Sequence, residues 1–295
     1  MIDLHLHTYY SDGTLSPEEL VSLAKNYGMD TIAITDHDGM RGITEGIVAG
    51  KKYGVRVIPG IELSTEDDKG AYMHILGYCI DVNNKELNDE VEIIRKKRVE
   101  RNERLLAVLN QIGCAITSED LNLRAGQDYV GKPTIALALM KKGYISTPKE
   151  AFKEGQFMRS DIVKKVHREK ISTKRAIMLI KGAGGIPVLA HPMKIAYLGK
   201  DGIGGFFEKL EKLIIELKSW GLEGIECYYS KHLIYETERL VEMAEKYNLL
   251  ITAGSDFHGS EFDRNLTIGN YPVDINFDKD RLLKQINNSF FCKKK

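Results

Sequence analysis

Ile2-Asp3-Leu4-His5-Leu6-His7 opens the chain as an apolar stretch with a polar residue at every second position. A strand turns successive side chains to opposite faces, so Ile2, Leu4 and Leu6 are expected in a core while His5 and His7 share the other face. That face offers two imidazoles to one metal ion. Asp12 follows in the Ser11-Asp12-Gly13 turn, near enough in sequence to return a carboxylate over the same pair. Ser16-Pro17-Glu18-Glu19 then carries an N-cap serine, a proline at the first helical position and a glutamate three residues on, and Leu20, Leu23, Ala24 and Tyr27 recur at helical spacing.

The strand-then-helix rhythm continues outward from this start. Thr31 to Thr35, Val55 to Ile58 and Met73 to Tyr78 read as the second to fourth strands, with a helix near Ile43 to Tyr53. Ile186 to Leu189, Gly224 to Tyr228 and Leu249 to Ala253 read as later strands, separated by helical patterns around Phe206 to Trp220 and Ile234 to Tyr247. Such alternation predicts an α/β fold, a mostly parallel sheet with helices outside, as a barrel or an open doubly wound sheet. The middle differs: a long charged helix is expected from about Glu86 to Ile112, then an Ala/Leu/Met helix after Gly131-Lys132-Pro133-Thr134 and a helix start at Thr147-Pro148-Lys149-Glu150. No strand of comparable strength is expected before Ile186. Residues 95–171 are therefore expected as an inserted α-helical cap on a barrel built from 1–94 and 172–295.

Composition bounds the function. The chain has 295 residues, enough for one large barrel-type domain or a medium one with an insertion. Its 42 basic and 42 acidic side chains cancel, which argues against a protein devoted to coating a nucleic-acid backbone. Charge is nonetheless uneven: between Gly131 and Arg175 stand twelve Lys and Arg against four acids, so the cap is expected to meet an anionic ligand. Cys79, Cys114, Cys227 and Cys292 show no CxxC spacing, which predicts four reduced thiols and no thiolate zinc site. No apolar run approaches the roughly 20 residues that span a bilayer, and the expectation is a soluble cytoplasmic protein with no membrane association. The Lys293-Lys294-Lys295 end is expected to be solvated.

Possible ligands recur at the strand ends: His5 and His7 on the first, Asp36-His37-Asp38 after the second, Glu62 after the third, His74 on the fourth, then Ala190-His191-Pro192 and Ser255-Asp256-Phe257-His258. In parallel α/β architectures the C-terminal strand ends share one rim, so groups far apart in sequence can converge. Nine nitrogen and oxygen donors exceed what one ion uses, which predicts two or three divalent ions with Glu62 or Asp256 available to bridge. Imidazole and carboxylate without thiolate suit Mn, Zn or Fe.

The series His5-x-His7, Asp12, Thr35-Asp36-His37-Asp38, Gly60-Ile61-Glu62, His74, Ala190-His191-Pro192 and Gly254-Ser255-Asp256-Phe257-His258-Gly259 resembles the PHP (polymerase and histidinol phosphatase) family, with every ligand position filled. The resemblance implies a distorted (β/α)7 barrel with a trinuclear metal site. It implies that His5, His7, Glu62 and Asp256 hold one ion, Glu62, His74 and His191 a second, and Asp12, His37 and His258 a third. The inserted cap resembles the subgroup that hydrolyses nucleoside 3',5'-bisphosphates and AMP-like phosphomonoesters, some members of which trim short RNA from its 5' end. That subgroup opens its cap with Gly-Arg-Pro-His and follows the sixth strand with His-Pro-Gly-Arg/Lys. This chain has Gly131-Lys132-Pro133-Thr134 and His191-Pro192-Met193-Lys194, and lysine lacks the bidentate fork of arginine.

The expected chemistry is hydrolysis of a small-nucleotide phosphomonoester by a metal-bridging hydroxide held between Glu62 and Asp256, without a Ser or Cys nucleophile. Lys132, Thr134, Arg168 and Lys194 are the expected substrate-binding residues, and His232 on the rim loop is a candidate donor to substrate or leaving group. The expected partner is a small phosphorylated substrate, with no protein partner indicated. The alternatives are 5'-3' exonuclease action on short RNA or DNA, with an oligonucleotide partner, and histidinol-phosphate hydrolysis. A substrate bearing its own ammonium group has less use for the basic cap.

Overall fold

The computed structural model describes residues 1–127, 129–272, 282–284 and 286. Cys292 and the Lys293-Lys294-Lys295 end lie outside them. The first half comprises β1 (Ile2–Leu6), α1 (Pro17–Asn26), β2 (Thr31–Ile34), α2 (Gly42–Tyr53), β3 (Arg56–Glu66) and β4 (Tyr72–Tyr78). From there α3 (Lys85–Gln111) leads away to α4 (Lys132–Lys141) and α5 (Asp161–Lys164), and β5 (Ile171–Ser172) and α6 (Thr173–Gly182) bring the chain back. The remaining elements are β6 (Ile186–Leu189), α7 (Gly202–Ser219), β7 (Gly224–Tyr229), α8 (Ile234–Lys246) and β8 (Leu250–Gly254).

Seven strands run in the order β1-β2-β3-β4-β6-β7-β8, with the two-residue β5 paired to β3 off this path. The His7 amide donates to the Phe257 carbonyl (3.1 Å) and the Asp256 amide to the His5 carbonyl (2.9 Å), which nearly closes the sheet into a barrel. One buried cluster draws Ile2, Leu4, Ala33, Ile58, Leu76, Val188 and Leu250 from six of these strands, a set that can meet only on the inside. Leu6 instead packs with Leu20, Val21 and Ala24 of α1. All five residues of β1 are buried, so both faces of the opening strand are covered, as a barrel strand requires. At α1 the Glu19 amide donates to Ser16 Oγ (3.1 Å) and the Ser16 amide to Glu19 Oε2 (2.7 Å), a reciprocal cap of about 1 kcal/mol.

Several local expectations are corrected. The third strand does not stop near Ile58: it pairs in parallel with β2 through Pro59, then antiparallel with β4 from Gly60 to Glu66, so Glu62 lies within it. β4 runs against its neighbours on both sides, β3 and β6, and this reversal brings His74, near its start, to the same rim as the C-terminal ends of the parallel strands. The Thr147-Pro148 start opens a 3₁₀ turn, Pro148–Phe152, rather than an α-helix. Cys79 is disulfide-bonded, against the expected reduced thiol, whereas Cys114 and Cys227 are free.

The excursion from α3 to α5 has an apolar cluster of its own, with Leu105, Leu109, Ile135, Leu139, Met158 and Val163 buried together. Among the described residues no helix is long and apolar enough to cross a membrane.

Candidate metal centre

Asp36 builds the first wall. Its carboxylate accepts the Thr8 amide (2.8 Å), the Thr8 hydroxyl (2.6 Å) and the Ser11 hydroxyl (2.6 Å), and so folds the turn that carries Asp12 back over β1. The Glu62 amide donates to the Asp36 carbonyl and the Asp38 amide to the Glu62 carbonyl, which holds His37 against β3. At the other wall Gly254 is required by space, since a Cβ there would stand 2.1 Å from His5 Cβ and 2.4 Å from Glu226 Oε1. Asp38, His191 and Asp256 all have positive φ, at 49°, 27° and 58°. Non-glycine residues held this way cost on the order of 1–3 kcal/mol each and persist where surrounding bonds over-determine them.

Glu62 is the hub. Its Oε2 lies 3.2 Å from His5 Nε2, 3.3 Å from His7 Nε2 and 2.9 Å from His37 Nδ1. Its Oε1 lies 2.7 Å from His74 Nδ1 and 3.0 Å from His191 Nε2. Asp256 Oδ1 stands 3.2 Å from His7 Nε2 and 3.5 Å from His5 Nε2. Asp12 Oδ1 stands 3.2 Å from His258 Nε2 and 3.9 Å from His37 Nε2. The donors thus gather into three sets, each with all its ligand atoms within 4.8 Å of one another: His5, His7, Glu62 and Asp256; His37, Glu62 and His74; and His7, Asp12, His37 and His258. The first set is the one expected for one ion. In the second, His37 stands where His191 was expected, with His191 against Glu62 alone, and in the third His7 joins.

Several of these atoms have no hydrogen-bond partner although they are buried: His5 Nε2, His7 Nε2, His37 Nδ1, Asp12 Oδ1 and Glu62 Oε2. Buried polar atoms are normally satisfied, so lone pairs converging without donors fit a cation among them. Electrostatics agree. Burial alone would raise the Glu62 carboxyl, but His37, His5 and His74 outweigh it and hold it well below the carboxylate range. Burial likewise opposes ionisation of Asp256, where Lys194, His5 and His258 prevail. Burial, with His258 nearby, pushes His7 down to about 3, and burial with Lys194 nearby does the same to His191 at about 3, so both rings are neutral as ligands must be. His74 and His258 are lifted to about 10 and about 9 against the pull of burial, by Tyr72 and Glu62 and by Asp12 and Asp256 respectively. The carboxylates at the centre call for positive charge.

A second layer fixes the ligands. His5 Nδ1 donates to Glu226 Oε1 (2.8 Å), which turns Nε2 to the cluster, and the other Glu226 oxygen accepts the His191 amide (2.7 Å). Tyr229 donates its hydroxyl to Asp256 Oδ2 (3.0 Å). Glu226 and Tyr229 escaped the sequence reading; a lone glutamate inside the apolar strand Gly224-Ile-Glu-Cys-Tyr-Tyr was the available signal for the first.

Above the cluster a cavity of about 410 Å³ is lined by Arg98, Arg101, Lys132, Arg168 and Lys170 together with His37, His74 and Tyr129. Arg98 and Arg168 both donate to Asp38 Oδ2, the latter at 2.9 Å, while Asp38 Oδ1 accepts the Ser64 amide (2.8 Å). Arg98 also lies over the Tyr129 ring at 3.9 Å. Arg101 is buried with Nε unpartnered and has no carboxylate partner among the described residues; burial and the neighbouring Arg98 pull it down to about 10. Lys194 Nζ donates to Asp256 Oδ2 (2.8 Å) from a half-exposed position. Two expected residues are not brought to the site. Thr134 is buried in α4 beneath the cavity wall that Lys132 and Pro133 form. His232 is buried rather than on an open rim, with Nδ1 on the Cys227 carbonyl (3.0 Å) and its ring against Tyr229.

A barrel whose rim gathers histidines and carboxylates beneath a cationic cavity defines a metal-centred hydrolase type of site. Residues 3–265 match the PHP domain, and the chain belongs to that family. It is 31% identical to a 5'-3' exoribonuclease of Haemophilus influenzae over 87% of this chain and 89% of that one. It is 28% identical to a 3',5'-nucleoside bisphosphate phosphatase of Chromobacterium violaceum over 87% of each. The structure of an amidohydrolase from Chromobacterium violaceum with bound sulfate and no metal is 26% identical and superposes with a TM-score of 0.83, covering 97% of this chain and 96% of that one.

Proposed function

We propose that this chain is a metal-dependent phosphoesterase that removes phosphate from a small nucleotide carrying a second phosphate, with residues 95–171 acting as the cap over the site. The observation that carries the reading is the adjacency of an eight-residue donor cluster, with His191 beside it on Glu62, to a cavity lined by five cations, one of which, Arg101, has no carboxylate partner among the described residues. A buried guanidinium without an acid is kept at a cost unless an anion visits it. The similarity to a nucleoside bisphosphate phosphatase supports the same substrate class.

His5, His7, Glu62 and Asp256 would hold one ion, and His37, Glu62 and His74, with His191 beside them, a second; Asp12, His258 and His37 would hold a third. The oxygen and nitrogen donor set suits Mn, Zn or Fe. Such ions, when bound, supply Lewis-acid charge to phosphoryl oxygens and acidify water. Around them Lys194 adds a cation beside Asp256, Arg168 and Arg98 are held in place by Asp38, and Lys132 and Arg101 face the second phosphate. The Ser11 hydroxyl is spent on Asp36.

Exonuclease action on short RNA is the second reading, favoured by the similarity to the Haemophilus influenzae enzyme. Against a long phosphate track, many cap and cap-facing lysines are already paired with acids: Lys142 with Asp120, Lys149 with Asp263, Lys164 with Glu154 and Lys97 with Glu169. A phosphate-release screen over nucleoside bisphosphates, monophosphates, histidinol phosphate and short 5'-phosphorylated RNA, with Mn and Zn in turn, tests the choice. Fastest release from a bisphosphate is expected; faster turnover of RNA that grows more salt-sensitive with length would replace it with the second reading.

A further inference from the structure

The metal centre opens on a second side whose chemistry differs from the cationic cavity. This space, about 300 Å³, has Asp12, His191, Asp256 and His258 as its floor and Pro133, Pro148, Phe152, Phe262 and Leu266 among its walls. Phe152 comes from the 3₁₀ turn of the excursion and Phe262 from the segment after β8, so two separate segments each bring a ring to this space. Both are only partly buried and present apolar surface beside a cluster of charged ligands. Phe262 already stands edge-to-face with His258, ring centroids 6.3 Å apart. The walls are tied by an ion pair between Lys149 and Asp263 (3.1 Å), immediate neighbours of the same two segments.

Apolar rings beside a metal centre suit the part of a substrate that is planar and uncharged. Resting on the phosphoesterase reading above, we propose that this cavity receives the nucleobase, which stacks on Phe152 and Phe262 while the scissile phosphate lies at the metal centre and the other phosphate reaches toward Arg101 and Lys132. Lys149, Lys194 and Lys231 also line the space and suit a ligand whose charge lies on its phosphates. The volume is at the lower end for small-molecule sites and takes one base with its ribose. No asparagine, glutamine or serine lines it among the described residues, and the Asp263 carboxylate is committed to Lys149 and the Asn265 amide. The pocket therefore demands a base without reading which base it is, because every base has a π-face.

The test is calorimetric titration of the metal-loaded full chain with the phosphonate isosteres of adenosine 5'-phosphate and ribose 5-phosphate, which resist hydrolysis. The adenosine compound is expected to bind about 10-fold more tightly, with the cytidine, guanosine and uridine isosteres within about threefold of it. Phe152→Ala and Phe262→Ala are each expected to cut that ratio about fivefold or more. Phe152→Leu keeps the apolar bulk toward the cap's core and loses the stack, so it carries the test if the alanine variant does not fold. Equal affinity of the adenosine and ribose compounds, or a ratio unchanged in the variants, overturns the proposal. Failure of the phosphoesterase reading looks different: no phosphate release in the substrate screen while the base-dependent binding persists.

Discussion

The barrel rim and the cavity wall above it both concentrate charge but handle it in opposite ways. At the rim, acids and imidazoles face one another across 2.7–3.9 Å on the strands and the loops that leave them, and buried lone pairs are left over. At the cavity wall, cations come from α3, the start of α4 and the returning segment before β5, and positive charge is left over at Arg101. The rim is left with buried acceptor atoms to satisfy and the cavity wall with more cations than acids, Asp38 alone taking both Arg98 and Arg168. A phosphate ester bound with metal ions, as proposed, would supply both cation and anion, and the difference teaches that the two halves of the site would answer to the two halves of one complex.

The variants that break this comparison can be ranked. Glu62→Gln should act hardest, because one carboxylate faces five imidazoles: phosphate release is expected to fall by more than about 100-fold, since even partners behind metal ligands cost 10–100-fold when removed. Glu226→Gln tests that second layer itself, and a loss of about 10–100-fold in metal affinity or activity is expected, restored in part by raising the metal concentration. Arg101→Met separates function from stability on the cationic side. It should raise KM for a bisphosphate about 10-fold through the lost charge-assisted hydrogen bond, while raising Tm by about 2 °C as an unpaired buried charge disappears. A lowered Tm would show that Arg101 is a structural cation.

The smallest effect concerns His232, which lies behind the rim. Burial, with a minor contribution from Lys194, lowers it to about 4, so the folded chain keeps the ring neutral where the unfolded chain, at an ordinary value near 6.5, takes up a proton. Stability is therefore lost as pH falls from about 6.5 to about 4, amounting to about 2–3 kcal/mol at pH 4.5. His232→Leu should remove that part of the loss, read as a smaller shift of the urea midpoint between pH 7 and 4.5.

Much of the rim is legible in sequence because short motifs on or just after strands carry it: His5-x-His7, Gly60-Ile61-Glu62, which lies within β3, and Ser255-Asp256-Phe257-His258 need only the barrel to bring them together. Strand direction was not legible, since nothing in Met73 to Tyr78 announces that β4 is reversed. The cavity wall was harder. Arg98 looked like one more charge on a long solvated helix, and only packing brings it onto Asp38 beside Arg168, residues far from it and from each other in sequence. Thr134 and Lys132 stand two positions apart, yet the turn of α4 sends one inward and leaves the other at the cavity.

The proposed role of Glu62, joining neighbouring ions in one polynuclear centre, is tested most directly by metal content. Elemental analysis of the purified chain after Mn loading and desalting should find about two to three ions per chain, falling by at least one in Glu62→Gln. Fewer than one ion per chain, or the same content in both proteins, would contradict it.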